Sequence, residues 1–271
     1  MLSPQEKLRD SEEYENTFVT IVTVVRNDAV RLDKTIRSLK SYYGDSRFEH
    51  IIIDGDSSDG TLNLIFEANK HTNVQALSEP DHGLYDGMNK GARLSKGKFL
   101  LFLNCGDEIL ISSNQFFSLE SQLIENSCDI ACFPCLIQQE KSSYILMPHK
   151  PITCMTPTSH QAMLFSKSFM INHSYDIRYK IAADYDLYLQ ADPSRVINIQ
   201  SRDPITSIEL DGYASNNPAL SYKEYIQIAY RRLHGAEKLF SLLRISMKAG
   251  AVIFIKKILP KRFVLKLRKL L

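Results

Sequence analysis

Asn104, Cys105, Gly106, Asp107 and Glu108 follow directly on the apolar run Phe99 to Leu103, within the stretch KFLLFLNCGDE (Lys98 to Glu108). A short apolar run bounded by turn residues reads as a strand buried on both faces, as in the parallel sheet of an α/β protein. Its carboxyl end delivers oxygen-bearing side chains into a turn, which is where open α/β sheets place their ligands. Hard oxygen donors there, beside a phosphorylated substrate, suit Mg²⁺ or Mn²⁺. The same residues also make an ordinary turn, since Asn, Gly and Asp are favoured in turns for their own conformational reasons.

Three further segments carry groups able to do chemistry. IIIDGDSSDGT (Ile51 to Thr61) sets Asp54, Asp56 and Asp59 in a loop after a second apolar run. A carboxylate there can accept from a base N–H or a ribose hydroxyl, while Asp59 can equally cap the following helix. SEPDHGLYDGMNKGARLSKG (Ser78 to Gly97) joins an acidic loop to a helix bearing Asn89, Lys90 and Arg93. These are donors that would stabilise a diphosphate by charge-assisted hydrogen bonds, or that simply face water. In KIAADYDLYLQ (Lys180 to Gln190), Asp184 and Asp186 open an apolar-periodic helix. Acids in a first turn complement the helix dipole; alternatively one is a general base. The pattern does not choose between these.

His160 lies between Ser159 and Gln161, a polar cluster just before the apolar run Met163 to Phe165. Cys132-Phe133-Pro134-Cys135 has the spacing of a redox pair or half a zinc site. No second pair with zinc spacing accompanies it, and it sits inside an apolar run, so these are expected to be structural thiols.

The elements that must position these groups follow from hydrophobic spacing. Strands are expected at Phe18–Val25, His50–Ile53, Val74–Ser78 and within KFLLFL, with helices at Arg31–Ser41, Leu62–Asn69 and Gly83–Ser95. Alternating strands and helices imply a mainly parallel, doubly wound sheet. Beyond it, strands are expected at Asp129–Gln138, Ser143–Met147, Val196–Gln200 and Ile205–Leu210, and a helix at Ile181–Gln190. A long helix is expected over Lys223–Met247, and a second over Ala251–Leu271, interrupted at Pro260.

With 271 residues, 44% hydrophobic and 24% charged, the chain has room for one large α/β domain or a domain with an appendage. Its first sixteen residues, MLSPQEKLRDSEEYEN, are polar, and its five cysteines are an odd number. The expectation is a reduced cytoplasmic protein with no secretory leader. The longest apolar stretch, Ala249 to Ile255, is far too short to span a bilayer.

A net charge of +2 conceals an asymmetry. Residues 231–271 hold twelve Lys and Arg against one Glu, so that segment carries +11 and residues 1–230 carry −9. Leu242 to Leu271 interleaves the cations with aliphatic residues, the pattern of a basic amphipathic helix on an anionic membrane surface. Nucleic acid is not the expected partner, because stacking aromatics are few there and the body is acidic.

FVTIVTVVRNDAVRLDKTIRSL, IIIDGDSSDGT, EPDHGLYDGMNKGARLSKGKFLLFLNCGDE, SHQAMLF and ADYDLYL, in this order over residues 17–215, resemble a family-2 glycosyltransferase of GT-A fold. The bacterial colanic-acid, capsule and O-antigen branch is the most similar. The resemblance implies a nucleotide-diphospho-sugar transferase fold: a mainly parallel central sheet flanked by helices, here with a basic C-terminal helical tail. It implies a polar extension over 1–16, a catalytic domain over 17–218 and a helical basic region over 219–271.

It also implies inverting transfer of a sugar, from a UDP-sugar by expectation, to a polyprenyl-diphosphate-linked glycan at the inner face of the cytoplasmic membrane. Thr23, Val25, Arg26 and Asp54 would then border the nucleotide, and Asp86, Asn89 and Lys90 the ribose, diphosphate or donor sugar. The NCGDE turn stands in the place of the family's DxD motif, with Asp107 as the carboxylate for Mg²⁺ or Mn²⁺ and Asn104 beside it. Asp184 matches the catalytic base, His160 and Gln161 a polar pair near donor or acceptor, and Asp186 a support for the helix or the acceptor site. The chain departs from the family pattern in two places, with Asn104 where an aspartate often stands and Asp54-Gly55 where paired acids are usual.

Two rival functions fit the same sheet. A sugar nucleotidyltransferase would call for a glycine-rich phosphate loop after the first strand, which VVRNDAVRL lacks. A catalytically silent nucleotide-sugar-binding or membrane-scaffold protein would have no use for Asp184 and Asp107.

Overall fold

The computed structural model describes residues 17–139, 142–150, 153–199, 201–209 and 213–258. The extension expected over 1–16 and the tail beyond 258, with Pro260, lie outside the described residues. The first half alternates as expected: β1 (Val19–Val25), α1 (Ala29–Ser38), β2 (Phe48–Asp54), α2 (Thr61–Ala68), β3 (Val74–Ser78), α3 (Leu84–Leu94) and β4 (Phe99–Phe102). There follow β5 (Glu108–Ile109), α4 (Ser113–Phe117), α5 (Glu120–Glu125), β6 (Ile130–Cys132), β7 (Cys135–Gln139), β8 (Ser142–Leu146) and β9 (Met163–Ser166). The remainder is α6 (Lys167–Asn172), α7 (Ala183–Tyr188), β10 (Val196–Asn198), β11 (Thr206–Glu209), α8 (Tyr213–Asn216), α9 (Pro218–Arg232) and α10 (Gly235–Ile258).

Seven strands form the central sheet in the order β10-β6-β9-β4-β1-β2-β3. Only β9 runs against the others, pairing antiparallel with both β4 and β6. A second, four-stranded sheet has the order β5-β11-β7-β8.

β1, β2 and β4 are buried along their whole length, as their β-branched and aromatic runs demand. Successive residues divide between two cores. Val22, Val24, Ile53 and Phe102 face Met88 and Ala92 of α3, while Ile21, Phe48 and Leu101 pack with Phe116 and Leu123 from α4 and α5. α3 lies unusually close to β1 because Gly87 and Gly91, one turn apart, face it. A methyl group built on Gly87 would stand 2.6 Å from Val24 Cγ1, and on Gly91 2.3 Å from Val22 Cγ1.

Two expectations are corrected. The run Asp129–Gln138 is two strands in different sheets, because Pro134 has no N–H to continue the ladder and the chain crosses at Phe133-Pro134 from β6 to β7. Cys132 and Cys135 consequently fall in different cores; burial pushes their thiols up to about 12 and about 11, and both are free and structural. The single helix expected over Lys223–Met247 is α9 and α10, separated where Leu233 turns extended and Gly235 takes φ 54°.

Candidate active site

The reversed strand β9 assembles the site. Leu101 of β4 is opposite Leu164 of β9 and Phe99 is opposite Ser166, so chain leaving β4 meets chain entering β9. The NCGDE turn therefore lies against the 3-10 turn of His160–Ala162. Asn104 Nδ2 donates to His160 Nε2 at 3.1 Å. That bond leaves the ring proton on Nδ1, which stands 3.6 Å from Asp184 Oδ2, in electrostatic contact but beyond hydrogen-bond reach. The Asp184 and His160 side chains keep 14% and 13% exposure, so both meet solvent. Asp184 is in the first turn of α7, and its other oxygen accepts from the Tyr185 N–H at 2.8 Å.

Asp107 faces inward instead. It is 4% exposed, and its carboxylate accepts from Gln161 Nε2 at 3.0 Å and from the Glu209 N–H. Desolvation pushes its carboxyl up to about 6. Gln161 is held in turn by Ser159, whose hydroxyl donates to Oε1 at 2.5 Å. The turn itself hangs on Thr35 of α1, whose hydroxyl donates to the Asp107 carbonyl at 2.8 Å and accepts from the Gly106 N–H at 2.9 Å. Gly106 has φ 98° and lies under the Arg31 guanidinium.

The carboxyl ends of β1, β2 and β3 form the other half of the site. Val25 pairs with Asp54, and Asp54 with Ser78, so three loops leave the sheet side by side. Asp54 is fully buried and accepts from the Ser57 N–H at 3.0 Å, the Ser57 hydroxyl at 2.5 Å and the Ser78 hydroxyl at 2.6 Å. It braces the 55–59 loop from beneath and offers no free oxygen to a ligand. Thr23 also lies inside the sheet, its hydroxyl engaged with His50 Nε2 at 3.0 Å. Arg26 is exposed and pairs with no acid among the described residues. The space over Gly55 is shared by Arg26 and Asp81, whose Oδ2 would lie 2.5 Å from a Cβ there.

On α3, Asp86 accepts from the His82 N–H at 3.1 Å and holds the Asp81–Gly83 turn. Lys90 binds the Pro80 carbonyl at 2.7 Å, Glu79 at 2.8 Å and Asp86 at 3.8 Å. Asn89 is 8% exposed, with both amide atoms bonded to the Tyr175 backbone at 2.9 Å. Asn89 thus anchors the segment leading to Asp184, with both amide atoms committed to it. Asp186 is fully buried in a two-point pair with Arg232 of α9, at 2.8 and 2.7 Å.

The expected divalent ion does not find a resident cage here. Among the described residues no group of three or more His, Cys, Asp and Glu is disposed to hold a metal, and Asp107 is already engaged through its carboxylate.

Residue reading from sequence overlooked Thr35, Asp81, Glu224 and Arg232. Asp81 belongs to the acidic loop SEPDHG and could have been weighed with it. Thr35, Glu224 and Arg232 carry no local signal, since each works on a segment remote in sequence.

This arrangement is shared with known proteins. The structure superimposes on Staphylococcus aureus TarS residues 1–349 in complex with UDP-GlcNAc with TM-score 0.67, 15% identity and coverage of 84% of this chain and 71% of that one. A mannosyltransferase of Pyrobaculum calidifontis, in complex with GDP-Man and Mn²⁺, aligns with TM-score 0.63 at 12% identity over 98% of this chain and 86% of that one. These likenesses establish the GT-A fold. In sequence, an uncharacterized glycosyltransferase of Mycobacterium tuberculosis is 35% identical over 89 residues, 33% of this chain and 34% of that protein. A PGL/p-HBAD biosynthesis glycosyltransferase of Mycobacterium bovis is 27% identical over 153 residues, 53% of this chain and 57% of that protein. The chain thus aligns with about a third of the first relative's length and just over half of the second's. Residues 20–179 match the sequence profile of glycosyl transferase family 2, and the chain belongs to that family.

Proposed function

We propose that the chain transfers a sugar, with inversion, from a UDP-sugar to a polyprenyl-diphosphate-linked glycan during assembly of a cell-surface polysaccharide. The observation that carries this reading is the line Asn104–His160–Asp184, at 3.1 and 3.6 Å, beside the carboxyl ends of strands whose loops carry Arg26 and Asp81. UDP-GlcNAc in the TarS complex supports a UDP-sugar donor, and PGL/p-HBAD biosynthesis in a relative's name supports a lipid-linked acceptor.

An acceptor hydroxyl beside Asp184 attacks the anomeric carbon from the face opposite the diphosphate. The new C–O bond forms as the bond to the diphosphate oxygen breaks, and the electron pair leaves with the nucleoside diphosphate. The acceptor proton passes to Asp184. His160, with its N–H toward Asp184, stands 3.6 Å from the carboxylate on the side of Asn104. Arg26 supplies positive charge near the departing diphosphate. The transition state has oxocarbenium character, so charge builds on the ring as well as on the leaving group.

Membrane attachment is part of the proposal, at the cytoplasmic face. No helix of the described residues is long and apolar enough to cross a bilayer. α10 instead exposes Leu239, Phe240, Leu243 and Met247 alongside Lys238 and Arg244, a surface complementary to anionic lipid. Leu243→Asp with Met247→Asp should abolish co-sedimentation with phosphatidylglycerol vesicles; unchanged sedimentation would remove this part of the proposal.

The activity is tested by nucleotide release and glycan transfer over a panel of nucleotide sugars, with and without Mg²⁺ or Mn²⁺. Wild type should turn over a UDP-sugar, and Asp184→Asn should transfer about 10²–10⁴-fold more slowly, the usual contribution of a general base. Transfer by Asp184→Asn at the wild-type rate would overturn the assignment.

A further inference from the structure

The segment carrying Asp184 is gripped from the far end of the chain. Glu224 of α9 is 4% exposed, and its carboxylate accepts from the N–H groups of Lys180, Ile181 and Ala182 at 2.8, 2.9 and 2.9 Å. α7 begins at Ala183 with no side-chain cap of its own, so Glu224 satisfies donors that would otherwise be left unpaired at its start. Eight residues along α9, Arg232 closes a two-point pair on the fully buried Asp186, two residues past Asp184. Between these two contacts Tyr225 stacks on Tyr185, with ring centroids 4.7 Å apart.

We propose that Glu224 and Arg232 are positioning residues for Asp184: α9 holds the backbone on both sides of it and so fixes the direction of its carboxylate toward His160 and the acceptor. The proposal rests on the reading of Asp184 as the base. Both contacts bracket the same side chain, and Glu224 is buried beneath it. A single buried ion pair on a helix is commonly only structural. Here a carboxylate from the same helix also converges on three amides preceding Asp184, so that Asp184 stands between two fixed points. Both residues lie outside the family-matched span of 20–179. α9 is accordingly part of the catalytic unit, not an appendage to it.

The test uses the full chain with Glu224→Gln and Arg232→Lys, which keep size and polarity but loosen the grip. Folding is checked by thermal unfolding, and UDP affinity by calorimetry. The expected result is a fall in kcat of about tenfold to 10²-fold, with donor KM within about twofold of wild type, as for loss of a geometry required only in the transition state. In an Asp184→Asn background the same substitutions should produce no further fall, because residues that act as a unit are not additive. Equal proportional losses in both backgrounds, or an unchanged kcat in folded variants, would overturn the positioning role. If Asp184→Asn alone keeps the wild-type rate, the base assignment fails instead, whatever the α9 variants do.

Discussion

Gln161 donates its side-chain amide to the buried carboxylate of Asp107 across 3.0 Å, joining the turn after β4 to the turn before β9. An acid in that position is costly to ionise. Burial pushes it from an ordinary 3.8 up to about 6, a difference corresponding to about 3 kcal/mol. Since the folded form holds its proton more tightly than the unfolded chain, this group's contribution to stability falls as pH rises from about 4 to about 6 and is level above that.

Asp107→Asn removes that ionisation. Relative to wild type, the variant should gain stability as pH rises through the window. At pH 7.5 it should be more stable by up to about 3 kcal/mol, less about 1 kcal/mol for a weakened acceptor. Chemical denaturation at pH 4 and 7.5 reads the difference, and an identical gap at both pH values would contradict it.

The close approach of α3 to β1 makes Gly91 a sensitive site. Alanine there gains about 1 kcal/mol in helix propensity. It also drives a methyl to 2.3 Å from Val22 Cγ1, an overpacking that costs typically about 1–3 kcal/mol. Gly91→Ala should therefore be destabilised on balance, and Gly91→Ala with Val22→Ala should lose less than the sum of the two single changes. Strict additivity in the denaturation midpoints would argue that the helix simply lifts away.

Asp54 tests the nucleotide loop. Three donors converge on it, from Ser57 and Ser78, and no solvent reaches it. Asp54→Ala leaves those donors unpaired and frees the 55–59 loop, at a cost of about 1–3 kcal/mol per unsatisfied group. UDP binding measured by calorimetry should weaken at least about tenfold, the equivalent of about 1.4 kcal/mol. Retained affinity would mean that the loop does not contribute to the nucleotide site.

The strands that frame this site are legible in the sequence because β1, β2 and β4 are buried on both faces and leave uninterrupted apolar runs. The crossing at Phe133-Pro134 is not, since residues on either side are apolar whichever sheet receives them. The reversal of β9 is equally silent: a four-residue apolar strand, MLFS, has the same pattern in either direction. That reversal alone brings His160 and Gln161 to Asn104 and Asp107. Glu224 and Arg232 look like charges on a solvated helix face until α9 is seen against residues some forty positions earlier. The inward turn of Asp107 and Asp54 had no signal either, because a carboxylate in a loop after a strand reads the same whether it faces a ligand or the loop's own amides.

His50 provides the opposing pH dependence. Its ring is fully buried between the Tyr43 hydroxyl at 3.1 Å and the Thr23 hydroxyl at 3.0 Å, and desolvation lowers its pKa from 6.5 to about 3. The unfolded chain therefore binds a proton between about pH 3 and 6.5 that the folded form refuses. This contribution is complete above 6.5 and is lost as pH falls through the window, by about 5 kcal/mol at its lower end. Between pH 4 and 6 it works against Asp107, so the wild-type curve alone does not resolve either group. His50→Asn leaves Tyr43 and Thr23 with a neutral partner at every pH and should be destabilised at pH 7.5. Its deficit relative to wild type should then shrink steadily as pH is lowered from 6.5 to 4. A deficit that stays constant over that range would mean that His50 is protonated in the folded protein.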